Sequence, residues 1–80
     1  MAKFGDKKVF GNAVSDLDTA VQILRDGLAE REDWFYERSE EWQFSEAGED
    51  FEMRTSDLES QIDDIEYSID QFNEILTEVV

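Results

Sequence analysis

Eighty residues leave room for one small domain, and at 9.3 kDa a single core is marginal without a metal, disulfides or association. The chain has no Cys and no His, which removes disulfides, thiolate nucleophiles, Cys/His zinc sites and imidazole bases. With 22 acids against 7 Lys plus Arg, a formal charge of −15, it would be repelled by nucleic acid or an anionic membrane, so basic proteins are the expected partners.

Residues 1–12 read as a basic flexible arm or short extended lead-in. Lys3, Lys7 and Lys8 are the only lysines, and Gly5 and Gly11 stand among Phe4, Val9 and Phe10. Nothing in this stretch has the apolar segment of a secretory signal, so a cytoplasmic location is expected. From residue 13 the pattern becomes helical. Val14, Val21, Leu28, Phe35 and Trp42 recur every seven residues, with Leu17, Leu24, Arg31 and Arg38 at the companion positions. This predicts a helix over 13–44. The segment 45–49, Ser-Glu-Ala-Gly-Glu, offers a capping serine and a glycine suited to a turn.

A second heptad series fills 50–79: Phe51, Leu58, Ile65, Phe72 and Val79 at one position and Thr55, Ile62, Ile69 and Leu76 at the other. The two series predict an all-α fold, an antiparallel helical hairpin of coiled-coil type. Facing residues in such a hairpin have numbers with a constant sum, and 93 pairs the seams: Trp42 with Phe51, Phe35 with Leu58, Leu24 with Ile69. Helices of about 30 residues would make a rod of roughly 45 Å.

The two flanks of this hairpin differ. One carries Asp18, Arg25, Glu32, Glu52, Glu59 and Glu66, with Asp63 and Asp70 on the adjoining row; the other carries Ala20, Gly27, Trp34 and Ile75 with only two charges, Glu41 and Arg54, opposite in sign, and is extended by Ile23 and Phe44. Small residues beside apolar ones mark a second packing face, and a mid-helix glycine costs about 1 kcal/mol unless packing requires it. Two seams alone bury too little area to offset the ordering of the chain, so a homodimer closing into a four-helix bundle is expected. Ala20, Ile23, Gly27, Trp34, Tyr36 and Phe44 are the candidates for the dimer or partner face. Arg31 and Arg38, inside the seam, are expected to pack their stems and reach Glu52, Glu59 or Glu66.

Chemistry of the chain's own is not expected. No EF-hand loop, phosphate-binding glycine loop or basic stripe is present, so no cofactor, metal or catalytic residue is assigned. The acidity itself is the remaining functional signal. Residues 37–78 hold 15 acids and two Arg, where an ordinary helical surface would mix Glu with Lys. Carboxylates along a rod imitate phosphates, which makes Glu52, Asp57, Glu59, Asp63, Asp64, Glu66 and Asp70 candidates for contact with a basic groove. A structural or adaptor coiled coil working through its aromatic tip is the alternative.

The stretches Glu32-Asp33-Trp34-Phe35, Ser39-Glu40-Glu41-Trp42-Gln43, Ser45-Glu46-Ala47-Gly48-Glu49 and Leu58-Glu59 through Ile65-Glu66 resemble a group of short acidic helical-hairpin proteins encoded by bacteriophages. The likeness covers roughly residues 30–75. It implies a nucleic-acid mimic that inhibits a host defence nuclease or DNA-binding protein. The lysines at the amino-terminal end depart from a pure mimic.

Overall fold

The computed structural model describes residues 4–77. Three helices follow one another: α1 over Asp6–Tyr36, α2 over Glu40–Gln43 and α3 over Glu46–Thr77. Helices α1 and α3 pack along each other as a hairpin measuring 68 × 15 × 12 Å between Cα extremes. Residues 1–3 of the expected arm and Val79 of the second seam lie outside the described residues.

The expected arm is corrected by the structure, because helix α1 already begins at Asp6. The reason is Phe10, which stands seven residues before Leu17 and lines a groove with Phe72, Ile75 and Leu76. A further apolar position on the seam outweighs the about 1 kcal/mol cost of Gly11 within the helix.

The turn is also displaced from 45–49. Helix α1 ends at Tyr36, and the chain reverses through the short α2. Ser39 caps α2 by accepting from the Trp42 N–H at 3.2 Å, and Glu40 and Glu41 place negative charge in its first turn. The Gln43 side-chain amide donates to the Arg38 carbonyl at 2.8 Å, satisfying backbone left open by the break. Ser45 performs its expected capping role, accepting from the Gly48 N–H at 3.2 Å just ahead of α3. Gly48 does not supply the turn: it is a buried residue of α3, and no described residue has positive φ. Its value is close approach. A Cβ there would lie 2.7 Å from the Gln43 carbonyl carbon and closer still to the carbonyl oxygens of Trp42 and Gln43.

Moving the turn moves the register. Arg31 bonds Thr55 and the Phe35 ring stacks on Phe51, pairs whose numbers both total 86. Leu24 and Leu28 share a groove with Ile62 and Leu58, and Phe10 shares one with Leu76, again at 86. The hairpin is therefore slipped by one heptad from the sum of 93. A seven-residue slip leaves every seam residue on a seam, so periodicity alone does not detect it. Trp42 still meets Phe51, with ring centroids 6.0 Å apart, because it approaches from α2.

The packed core is a single row from each helix. Val14, Val21, Ile62, Ile69 and Leu76 are buried in one cluster, with Leu28 and Ile65 against it. Phe35 and Thr55 continue the buried row toward the tip. The companion positions Leu17, Leu24, Leu58 and Phe72 remain 42–45% exposed.

Two outcomes test this geometry. Cysteines replacing Leu24 and Ile62 should cross-link within one chain under mild oxidation, whereas cysteines replacing Leu24 and Ile69, about 10 Å out of step at 1.5 Å per residue, should not. Gly48→Ala should cost about 2 kcal/mol or more in denaturant unfolding despite the better helix propensity of alanine, because the obstructing atoms are backbone.

Candidate functional site

Helix periodicity sorts the acids of α3 around its axis. Glu52, Glu59 and Glu66 stand three positions ahead of the buried Thr55, Ile62 and Ile69, and Asp63 and Asp70 follow Ile62 and Ile69 by one. These five form one flank. Asp57 and Asp64 are brought elsewhere, since each next residue turns about 100° around the helix and Asp64 lies that far beyond Asp63. The seven candidate acids thus divide into a flank of five and a pair on the outer surface of α3.

Among the described residues one cation makes ion pairs with this flank. Arg25 of α1 donates from Nε to Glu66 at 2.9 Å and from Nη2 to Asp63 at 2.7 Å. This bond holds the Glu66 carboxyl below its ordinary pKa and raises that of the guanidinium. Asp63 and Glu66 are therefore committed to the hairpin, while Glu59 and Asp70 are exposed and make no ion pair among the described residues. Nearer the tip the flank lacks a cation. The partly buried Glu32 has its carboxyl pKa raised, first by loss of water around it and then by the charges of Glu52 and Glu59. One oxygen of Glu52 is buried there without a hydrogen-bond partner.

Arg31 and Arg38 do not reach the acids assigned to them from sequence. Arg31 donates from Nε to Thr55 Oγ1 at 3.0 Å and from Nη2 to the Phe51 carbonyl at 3.1 Å, with its guanidinium 4.0 Å above the Phe51 ring. Thr55 Oγ1 donates in turn to the same carbonyl at 3.0 Å, which satisfies a buried hydroxyl. Arg38 lies 4.3 Å above the Trp34 ring, donates to the Trp34 carbonyl and stands 3.7 Å from Glu37. Aromatic faces and carbonyls take the place of carboxylates because α1 presents Arg31 on the side away from Glu52 and Glu59, and Arg38, past the end of α1, lies over Trp34.

The opposite flank is apolar. Ile23, Leu24, Gly27, Leu28, Arg31, Leu58 and Ile62 line an open groove of about 210 Å³, and beyond the helix's own backbone nothing lies within 4 Å of where a Gly27 side chain would begin. Ala20 is exposed on the same row. Trp34 joins Phe35, Trp42 and Phe51 in a tip cluster with centroids 5.0–6.0 Å apart. Tyr36 and Phe44 are 67% and 80% exposed, and Tyr36 packs edge-on against Phe35. Residues that sequence reasoning placed in the closed seam, Leu17, Leu24, Leu58 and Phe72, belong to this open flank; their signal was the heptad itself, whose companion row a two-helix hairpin does not close.

No protein-family model, curated protein or solved structure matches the chain. No described helix is long and apolar enough to cross a membrane.

Stability should carry the signature of both carboxyl shifts. Glu32, with its raised pKa, binds a proton more tightly in the folded state, so stability rises as pH falls from neutrality through its titration range. Glu66, with its lowered pKa, contributes stability above the ordinary carboxylate pKa that is lost as pH falls further through its folded value. Thermal melts followed by circular dichroism should show the midpoint rising and then falling on acidification. Glu32→Gln should raise the midpoint at pH 7 and flatten the rise.

Proposed function

We propose that the chain is an acidic protein-binding module without catalysis, a phage-type inhibitor that imitates nucleic acid, works as a homodimer and blocks a basic surface of a host defence or nucleic-acid-binding protein. The observation carrying this reading is the segregation of charge: a carboxylate flank whose ion pairs, among the described residues, all run to Arg25 lies opposite a largely apolar flank on the same hairpin. A net charge of −15 over 68 Å is about one per 4.5 Å, against one per about 1.7 Å for duplex DNA. Two hairpins side by side halve that gap and double the width. The open apolar flank favours the second reading, an assembly or adaptor coiled coil, in its need for association, and the two share that feature.

Competition tests the mimicry. Increasing protein should displace a fluorescent duplex from a basic, sequence-independent DNA-binding protein, and potency should fall steeply as salt rises. Glu59→Gln with Asp70→Asn should weaken displacement about tenfold, since both lie on the acidic flank outside the Arg25 bridge. Asp57→Asn with Asp64→Asn, equal in charge but on the outer surface, should weaken it less. Equal effects from the two pairs would leave bulk charge as the cause and contradict a defined mimic face.

A further inference from the structure

The described hairpin has more surface than a folded chain of its size retains. Its accessible area is 6473 Å², whereas a monomer of 9.3 kDa is expected to expose about 5,000 Å². Its radius of gyration is 18.6 Å, against about 12 Å for a compact chain of this length. The excess of about 1,500 Å² exceeds the roughly 800 Å² that each partner buries in a stable interface. Much of it is apolar and lies on one flank: Leu17, Leu24, Leu58 and Phe72 are all half-exposed, Ile23 and Ile75 more so.

We infer that this flank docks a second copy of the chain, and that the two hairpins run antiparallel, tip against amino-terminal end. The inference takes from the proposed function that two copies associate, and adds the face and the direction. A second copy fits because its own flank presents the same apolar row over the same length, so two copies cover each other in full. Ala20 and Gly27 add little bulk along α1 and leave room for the approach of a helix.

Charge decides the direction. The tip carries Glu37, Glu40, Glu41, Glu46, Glu49 and Asp50 against two cations, Arg38 and Arg54, the second lining a groove with Asp50. The other end of the rod carries Lys7 and Lys8, which make no ion pair among the described residues, with Asp6 and Glu74 nearby in register. Parallel docking would set one acidic tip beside the other at a helix-packing distance of about 10 Å, within a Debye length at ordinary salt. Antiparallel docking sets each acidic tip beside the end of the rod that carries the two lysines. The acidic flanks then face outward on both sides of a four-helix rod, which leaves them accessible.

Sedimentation equilibrium and pairwise cross-linking test the inference together. The wild type should sediment as a dimer, and Gly27→Glu, which meets open space within one hairpin, should shift it to monomer while keeping its helical circular dichroism. In a mixture of Lys8→Cys and Glu41→Cys chains, a flexible bifunctional maleimide should join unlike chains at least tenfold more than two Glu41→Cys chains. A monomeric wild type would overturn self-docking and the dimer clause of the proposed function, leaving the mimicry to its own test. A dimer untouched by Gly27→Glu would overturn the face. Predominant Glu41→Cys self-linkage would overturn the direction while the dimer stands.

Discussion

Two helices that meet along one line bury one row of side chains each, and that constraint governs this molecule. Val14, Val21, Ile62, Ile69 and Leu76 fill the line, and the residues beside them have neighbouring chain on one side only. Each heptad supplies two apolar positions, so the hairpin makes twice the apolar row that it closes. On the charged flank Arg25 ties α1 to α3 through Asp63 and Glu66; on the other flank half-exposed apolar groups line an open groove. The proposed association of two hairpins rests on that imbalance more than on any single residue.

The tip fixes how the two rows are aligned. Its turn uses no left-handed residue: α1 stops, Ser39 starts a one-turn helix, and α3 begins beneath it with Gly48 pressed against the carbonyls of Trp42 and Gln43. The rings of Trp34, Phe35, Trp42 and Phe51 fill the space this leaves. Arg31 closes the arrangement from within. Its two hydrogen bonds to Thr55 and Phe51, with the ring beneath its guanidinium, place a buried polar network at a single register. A slip by one heptad would keep the aliphatic seam but set Arg38 opposite Thr55 and face Arg31 with Ile62, which offers no acceptor.

The class of fold was legible from the sequence because it depends on periodicity, and the two heptad series run with few interruptions. Register was not, since repeats displaced by seven residues satisfy the same pattern and only the turn distinguishes them. The turn was hidden by chemistry that reads as ordinary helix: Glu37, Arg38 and Ser39 include neither Gly nor Pro, while Gly48 imitates a turn signal but answers to close packing. Phe10 extended the seam past Gly11, one of the two glycines that pointed to a loose arm. The acidic flank was legible in outline, and the separation of Asp57 and Asp64 from it followed from their helical phase. The Arg25 bridge was not, because its partners depend on the register.

If the exposed row of each hairpin is covered by another copy of itself, as proposed, folding and association are one equilibrium. The concentration dependence of the thermal midpoint tests this most directly. If two hairpins form one cooperative unit, the midpoint rises steadily as protein concentration increases over two decades, because mass action favours the associated folded state. A midpoint unchanged over that range would show that the single hairpin folds alone and would contradict the account.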